Sequence, residues 1–257
     1  MKVTILGCGG AGGVPTVAWG WGECDPINSR NRRLRPSILI EKGKTRVLID
    51  TSPDLREQLL EARINTLSGV VYTHAHADHT HGLDDLREVN RAMHAPLNIW
   101  ADELTLSELR HRFSYAFEGL APEQRIFRPW LIPNSINPPK PFNIHSLQFK
   151  PFVQDHGYMK TLGFRIDNFA YSTDLVRLPD AAKASLQGLD VWIVGALTTD
   201  NEHESHASLD KAFSWIKELK PKRAVITHMG VGLDYEAVRN HCPSGVEPGY
   251  DGLCVRI

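Results

Sequence analysis

Long hydrophobic runs are missing from this 257-residue sequence. No stretch approaches the roughly 20 apolar residues that a membrane-spanning helix needs. The apolar opening at residues 1–6 is also shorter than the roughly 7–15 apolar residues of a signal peptide. We therefore expect a cytoplasmic protein that makes no contact with a membrane.

Cysteine is scarce, and the four that occur, Cys8, Cys24, Cys242 and Cys254, form no C-x-x-C pair. Their spacing predicts neither a zinc knuckle nor a framework of disulfide bonds. A chain of this size with so few cysteines is typical of a reducing compartment.

An excess of charge of one sign is also missing, because 29 basic and 30 acidic residues leave a formal net charge of −1. A chain so balanced has no general electrostatic attraction for nucleic acid, which we do not expect as a partner. A small anionic substrate is compatible with this balance, since a local field needs only a few well-placed charges.

Apolar residues make up 42 % of the chain, which is enough for a substantial core. Two strands at 37–41 and 46–50 are predicted to form a hairpin. Further strands are predicted at 3–6, 69–72, 98–101, 146–152, 163–166, 169–172, 190–194, 223–227 and 253–257. The periodicity of apolar residues predicts helices at 53–62, 83–91, 102–117, 181–186, 208–218 and 235–240. The pattern indicates one mixed α/β domain over 1–257, with a proline-rich loop or lid at 119–141, where six prolines occur.

A cluster of metal-binding residue types directly follows the apolar strand at 69–72. It reads His74-Ala75-His76-Ala77-Asp78-His79. An extended backbone puts His74 and His76 on one face, and the turn that follows can aim Asp78 and His79 at a second position. Imidazole and carboxylate groups suit zinc, manganese or iron. The cluster therefore predicts a site for two divalent cations, as used in two-metal hydrolysis.

One loop cannot complete two coordination shells, so further ligands are expected from later in the chain. Three residues follow predicted strands and fit this role, namely His156, Asp174 and His228. The ends of strands are where α/β folds usually place their chemistry.

This order of residues resembles the metallo-β-lactamase superfamily over most of the chain. The resemblance implies a four-layer αββα sandwich with mixed sheets and a dimetal site at their edge. It implies that His74, His76 and His156 bind one metal, zinc or manganese. It likewise implies that Asp78, His79 and His228 bind the other, with Asp174 bridging. Asp50 would match the acidic residue that braces the histidine loop.

Three further stretches resemble the PhnP-type cyclic-phosphate phosphodiesterases of this superfamily. They are the glycine-rich opening at 6–15, the turn at 243–252, and Glu204-Ser205-His206-Ala207-Ser208-Leu209, which implies that His206 is catalytic. Two features depart from that group. One cysteine, Cys24, stands where several usually hold a structural zinc, and Met229 follows the last ligand where the group has a histidine. These departures put the structural zinc and the natural substrate in question.

We therefore predict a dimetal phosphodiesterase for a small (cyclic) phosphodiester, such as a phosphoribosyl 1,2-cyclic phosphate or a nucleotide-like diester. A hydroxide between the two metals would attack phosphorus. His206 would protonate the leaving group as general acid, with His203 as the local competitor for that role. His206 and Asp78 are the predicted catalytic residues. A homodimer is implied only by the resemblance.

Three alternatives remain at this point. One is processing of transfer-RNA 3′ ends, as in ribonuclease Z relatives, although the only long insertion is weakly basic. A second is lactam or thioester hydrolysis with the same ligands. A third is a non-catalytic or cofactor-biosynthesis role like that of pyrroloquinoline quinone biosynthesis protein B, which has a similar glycine-rich opening.

Two lesser features have two interpretations each. The turn at 7–13 could cradle a phosphate with its backbone N–H groups, or simply allow close packing under the metal loop. It matches neither a Walker sequence nor a G-x-G-x-x-G in a βαβ unit. The cluster Arg30, Arg32, Arg33 and Arg35 could be a solvated loop or a bidentate phosphate contact.

Overall fold

The computed structural model describes residues 1–121 and 123–257, and it contains two seven-stranded sheets. The first has β1 (Lys2–Gly7), β2 (Ser37–Lys42), β3 (Thr45–Ile49), β4 (Gly69–Val71), β5 (Leu97–Ala101) and β6 (Leu131–Ser135). The second has β7 (Phe142–Ile144), β8 (Leu147–Asp155), β9 (Lys160–Ile166), β10 (Phe169–Ser172), β11 (Val191–Gly195), β12 (Arg223–Thr227) and β13 (Val246–Pro248). The last strand, β14 (Cys254–Arg256), returns to pair with β1 at the edge of the first sheet.

Each sheet combines an antiparallel half with a parallel half. In the first sheet β14, β1, β2 and β3 pair antiparallel, and β3 to β6 pair parallel. In the second sheet β7 to β10 pair antiparallel, and β10 to β13 pair parallel. The mixed sheets predicted from the sequence are therefore confirmed.

In the described residues, seven α-helices connect the strands. They are α1 (Leu55–Ala62), α2 (Ala77–Thr80), α3 (Leu86–Met93), α4 (Glu103–Arg112), α5 (Asp180–Ser185), α6 (Leu209–Leu219) and α7 (Tyr235–His241). Three helix starts are set by side chains that accept from backbone N–H groups, namely Asp102 from Thr105, Ser208 from Lys211, and Asp234 from Glu236 and Ala237. In the described part of the chain, no helix is long and apolar enough to cross a membrane.

The alternation of side chains along β2 divides the core into layers. Ile38 and Ile40 belong to the cluster between the two sheets, whereas Leu39 belongs to a second cluster with residues of α1, α3 and α4. Successive side chains of a strand point to opposite faces, so the helices cover the outer face of the first sheet. Residues of α5 and α6 pack against the second sheet. The resulting α/β sandwich confirms the predicted fold class.

Three short strands were not predicted. Residues 131–135, placed within the proline-rich loop, form β6 in the described part of that segment, which excludes Pro122. Pro133 is tolerated there because β6 is an edge strand, where a missing N–H costs no ladder bond on the solvent side. The other two, β7 and β13, have three residues each, too few for a periodic signal.

The predicted helix at 102–117 is shorter than expected. The α-helix ends at Arg112, and a separate 3₁₀ helix runs over Ser114–Phe117. Two further 3₁₀ helices lie at Ser29–Asn31 and Leu83–Asp85, the latter at the start of the helix predicted for 83–91.

Two members of the arginine cluster are structural. Arg35 forms a bidentate ion pair with Asp54. Arg33 is buried, and its guanidinium donates to the carbonyl oxygens of Gly230, at 3.3 Å, and Leu233, at 2.6 Å. Arg33 thereby joins the loop before β2 to the loop after β12.

We expect Arg33→Met to lower the free energy of unfolding by about 3 kcal/mol. The buried carbonyl of Leu233 and the partly buried carbonyl of Gly230 would each lose a partner, at roughly 1–3 kcal/mol apiece. Urea denaturation measures the change. The exposed neighbour Arg32 provides the matched control, since Arg32→Met should stay within about 0.5 kcal/mol of the parent. Equal stabilities for the two variants would contradict this assignment.

Candidate dimetal centre

The predicted metal ligands and Asp50, the predicted bracing residue, lie at one edge of the two sheets, after the ends of five strands. Asp50 follows β3, the histidine motif follows β4, and His156 directly follows β8. Asp174 and His228 follow β10 and β12. Three of these residues have left-handed backbones, with φ of 65° at Asp50, 51° at Asp174 and 59° at His228. Such conformations are uncommon outside glycine and concentrate where the surrounding fold fixes a functional side chain.

The structure brings all seven predicted ligands together in two groups that share Asp174. One group consists of His74, His76, His156 and Asp174, and the other of Asp78, His79, Asp174 and His228. In each group the candidate ligand atoms lie within 4.8 Å of one another. This is the division that the resemblance implied.

Asp174 turns one carboxylate oxygen toward each group. Its Oδ2 lies 3.7 Å from Nε2 of His74 and 3.7 Å from Nε2 of His156. Its Oδ1 lies 3.2 Å from Nε2 of His79 and 3.2 Å from Nε2 of His228. A carboxylate with this placement can bridge two cations.

The buried nitrogen atoms of the site fit metal ions better than they fit any protein partner. Within residues 1–121 and 123–257, several buried ligand atoms have no hydrogen-bond partner, namely Nε2 of His74, His79, His156 and His228 and Oδ2 of Asp78. Buried polar atoms without partners are costly and rare. Their convergence on two points indicates that each is kept free for a cation.

The opposite ring nitrogens of three histidines are held by the protein. Nδ1 of His79 lies 2.7 Å from Oδ2 of Asp50, and Nδ1 of His156 lies 2.7 Å from the carbonyl oxygen of Ser205. Because a carbonyl only accepts, His156 donates from Nδ1 and presents a bare Nε2. Nδ1 of His74 lies 2.9 Å from the hydroxyl of Thr73. Such contacts fix the tautomer and the orientation of a metal-binding imidazole.

Asp50 holds the histidine motif in place through hydrogen bonds, as the resemblance implied. It is fully buried and accepts from both the backbone N–H and the hydroxyl of Thr73, each at 2.8 Å. Burial raises the pKa of Asp50, against the opposing effect of His79. The carboxylate thus links the start of the histidine motif to His79.

The electrostatics of the site favour positive charge between the two sheets. Burial opposes ionisation of Asp174, but the imidazoles of His228 and His79 outweigh it and hold the pKa of Asp174 well below its usual range. Burial disfavours charge on His79 too, yet the carboxylates around it, Asp174 first, raise its pKa well above the ordinary value. The carboxylate of Asp174 therefore remains ionised at neutral pH and attracts a cation.

The structure separates His206 from its competitor His203. Nδ1 of His206 lies 4.0 Å from Oδ2 of Asp174, and its ring stacks on His228 with centroids 5.0 Å apart. Nδ1 of His203 instead accepts from the backbone N–H groups of Ser205 and His206. His206 therefore faces the ligand groups, while His203 holds the loop that carries it.

The pKa of His206 is low in the absence of a ligand. Burial and the neighbouring His228 imidazole lower it to about 3, against the opposing charge of Asp174. His206 is thus neutral at physiological pH until an additional negative charge approaches it.

Tyr158 is a neighbour of the site that sequence reasoning missed. Its hydroxyl lies 3.3 Å from Nε2 of His76, and its ring centroid lies 5.7 Å from that of His156. The residue stands two positions after a predicted ligand, and that adjacency was the only signal for it in the sequence. Nε2 of His76 thus has a protein partner, whereas Nε2 of each of the other four candidate ligand histidines has none in the described part of the chain.

The glycine-rich opening packs directly beneath the last ligand. Gly9 pairs with Met229, the residue after His228. A Cβ atom at Gly10 would lie only 2.6 Å from Cδ1 of Leu197, and the existing space is filled by that side chain. The observed contacts are those of close packing under the metal loop.

Cys24 has no cluster of metal ligands around it. In the part of the chain that the structure describes, the groups of three or more suitable residues are the two that share Asp174. Cys24 is buried, with its sulfur 4.0 Å from Nη1 of Arg33 and 3.4 Å from the carbonyl oxygen of Val231. The guanidinium of Arg33 therefore lies beside Cys24, at the position where the sequence left the presence of a structural zinc open.

The sandwich and the shared-carboxylate site are those of the metallo-β-lactamase class of proteins. A family model described as the beta-lactamase superfamily domain matches residues 45–229, from β3 to just past His228. A crystal structure described as a new diphosphatase from the PhnP family is 33 % identical to this chain, with a TM-score of 0.90. The match covers 99 % of this chain and 96 % of that one. The chain therefore belongs to the PhnP family of the metallo-β-lactamase superfamily.

Two further relatives match this chain, one in structure and one in sequence. The crystal structure of Zn²⁺-bound PqqB from Methylobacterium extorquens matches over the full length of both chains, with a TM-score of 0.75 and 19 % identity, which shows the shared fold alone. An octanoyltransferase from Porphyromonas gingivalis is 32 % identical over 257 residues. The alignment covers 98 % of this chain but only 51 % of that protein, so the chain spans about half the length of this relative.

Proposed function

We propose that this protein hydrolyses a small phosphodiester, with two divalent metal ions held at the shared Asp174. The division of its carboxylate between two groups of unpartnered ligand atoms is the observation that carries the proposal. Ribose cyclic phosphates and nucleotide-like diesters are substrates of this class. Its single negative charge on phosphorus suits a cationic site.

Seven residues would hold the ions. His74, His76 and His156 would bind one, Asp78, His79 and His228 the other, with Asp174 between them. When bound, divalent ions lower the pKa of a water molecule and neutralise the charge that develops on phosphoryl oxygens. Zinc and manganese both accept this mixture of imidazole and carboxylate ligands. We assign Asp78 to the catalytic group because its carboxylate stays ionised. Burial opposes ionisation of this carboxylate, but His79 and His228 lower the pKa of Asp78.

His206 would act as the general acid. It stands at the rim of the site, on the loop before α6, with its ring against the rings of His156 and His228. Its low pKa means that the free protein holds the ring neutral. An anionic phosphodiester beside the ring raises that pKa, so substrate binding itself favours the proton that the leaving group will receive.

A cleft of about 590 Å³ extends from His76 along the surface and has room for the organic part of a substrate. Ala75, Ala77 and Phe113 form apolar walls, and Arg112 and His111 lie at its rim. The lining contains no carboxylate, so an anionic substrate meets no repulsion there.

A diphosphate is the second candidate substrate, because the similar PhnP-family structure is described as a diphosphatase. The scissile P–O–P bond differs from a phosphodiester in its leaving group, which is a phosphate that needs less help from an acid. The remaining alternatives have less support. The relative from Porphyromonas is twice as long, and an octanoyl-transfer activity can reside in its other half.

We place the reaction in the cytoplasm with a small molecule as substrate and a homodimer as the assembly. The scarcity of cysteine supports the cytoplasmic location and the balanced charge supports a small-molecule substrate, whereas the homodimer rests on the resemblance to PhnP-type proteins alone. A role in cofactor synthesis without catalysis would leave His206 without a function, although its ring faces Asp174.

Hydrolysis of bis(p-nitrophenyl) phosphate tests the proposal. Purified protein is stripped of metal and then supplied with Zn²⁺ or Mn²⁺. We expect release of nitrophenolate only after metal is restored. If protein with two bound ions per chain releases none, the phosphodiesterase proposal is wrong. Thymidine 5′-diphosphate, assayed for phosphate release in parallel, distinguishes the diphosphate candidate.

A further inference from the structure

The most exposed aromatic side chain beside the metal groups is that of Tyr158, with 75 % of its surface accessible. It lies on the turn between β8 and β9, two residues after His156. A single exposed aromatic ring is common on protein surfaces, but this one stands beside the site histidines, where it can contact a bound ligand. Nothing in the mechanism above uses this residue.

The turn that carries Tyr158 is held tightly. Gly157 has φ of +85°, and a Cβ atom there would lie 2.5 Å from the carbonyl oxygen of Glu204. The backbone N–H of His156 donates to the carbonyl of Met159, and that of Gly157 donates to the carboxylate of Asp155. The ring therefore projects from a fixed backbone, so its exposure is built into the turn.

The position of the ring and that of the hydroxyl indicate two separate contributions. The ring centroid lies 6.0 Å from that of His76 and 5.7 Å from that of His156, so it stands over one of the two ligand groups. The hydroxyl lies 3.3 Å from Nε2 of His76. The hydroxyl thus occupies Nε2 of His76, and the Nδ1 atom of that ring remains to face the ion.

We propose that Tyr158 is a specificity-determining residue and also a positioning residue for His76. Its ring forms a wall against which the organic group retained on the phosphorus packs. Its hydroxyl accepts from Nε2–H of His76 and so fixes the tautomer with a bare Nδ1. The first role rests on the proposed phosphodiesterase function, whereas the second requires only that the site binds metal.

Two variants separate these roles. Tyr158→Phe removes the hydroxyl and keeps the ring, and Tyr158→Ala removes both. Tyr115→Phe is the matched control, since that tyrosine is also exposed and its hydroxyl contacts Asp84 instead of a site histidine. Zn²⁺ affinity is measured on resting protein by competition with a chelator. Kinetics are measured at saturating metal with bis(p-nitrophenyl) phosphate and methyl p-nitrophenyl phosphate, which share a leaving group and differ in the group retained.

We expect Tyr158→Phe to weaken Zn²⁺ binding by about tenfold, as is usual for a lost contact to a ligand histidine. Its KM ratio for the two esters should match that of the parent. Tyr158→Ala should raise KM for the bis-aryl ester by about 5- to 10-fold, because ring packing is lost, and that for the methyl ester by less than about twofold. Tyr115→Phe should change neither quantity.

Two results would overturn the inference. Unchanged Zn²⁺ affinity in Tyr158→Phe removes the role of the hydroxyl, and an equal KM change for both esters in Tyr158→Ala removes the role of the ring. If the parent protein hydrolyses neither ester, the proposed function fails. The chelator competition still decides the positioning role in that case, because it requires no turnover.

Discussion

Replacing His206 by alanine is expected to slow hydrolysis of 2′,3′-cyclic AMP by about 10²- to 10⁴-fold, the usual contribution of a general acid. The leaving group of that substrate is a ribose alkoxide, which is strongly basic and must gain a proton as the bond breaks. Hydrolysis of bis(p-nitrophenyl) phosphate should fall by less than about tenfold, because nitrophenolate leaves without a proton. Steady-state kcat for both substrates, at saturating metal, measures the difference.

His203→Ala is the matched control for this experiment. His203 accepts from the backbone of the same loop but does not face Asp174. Its loss should reduce turnover of both substrates by a similar, smaller factor, since it displaces the loop as a whole. A loss in His206→Ala that is the same for both substrates would remove His206 from the role of acid.

The largest effect is expected from Asp174→Asn. The amide keeps the shape of the side chain and tolerates the left-handed backbone at this position, where φ is 51°. It removes the negative charge that both ligand groups share. We expect bound zinc to fall from two ions to at most one per chain, and kcat/KM to fall by at least about 10³-fold, since metal-based charge stabilisation supplies several kcal/mol.

Asp167→Asn is the control for that substitution. Asp167 also has a left-handed backbone, with φ of 52°, and it lies on the exposed turn between β9 and β10. The two variants therefore make the same chemical change in the same backbone conformation. Metal content measured by mass spectrometry of the elements should be normal for Asp167→Asn. An Asp174→Asn protein that retains two ions and full activity would exclude the bridging role.

The candidate ligands could be predicted because each one follows a strand that the apolar pattern of the sequence predicts. The motif from His74 to His79 interrupts an apolar run, and Asp174 and His228 come directly after short buried strands. The edge at which parallel strands end is where such residues meet. Strand positions alone did not give the division of Asp174 between two groups, which only the resemblance implied, because that division depends on a left-handed backbone and on contacts with histidines that follow β4, β8 and β12.

The role of His206 could not be read from the residues alone. A histidine just before a helix is usually a solvated loop residue, and only the resemblance to PhnP-type proteins selected it. The structure adds the reason for its position, since the loop at 203–206 packs against the turn at Gly157 and accepts from Nδ1 of His156.

Edge elements and long-range pairs account for most of what was missed. Strand β6 was not predicted because it contains Pro133, and proline is depleted in strands generally but tolerated at an edge. Arg35 and Asp54 are 19 residues apart, so their pairing left no local pattern. The same holds for Arg33, whose partners lie about 200 residues later in the chain.

The central claim is that two metal ions lie on either side of Asp174. A crystal structure of zinc-loaded protein, with anomalous difference maps above and below the zinc edge, tests it most directly. We predict two peaks about 3.5–4 Å apart, one near His74 and His156 and the other near His79 and His228, with the carboxylate of Asp174 between them. A single peak, or two peaks that do not share Asp174, would contradict this account.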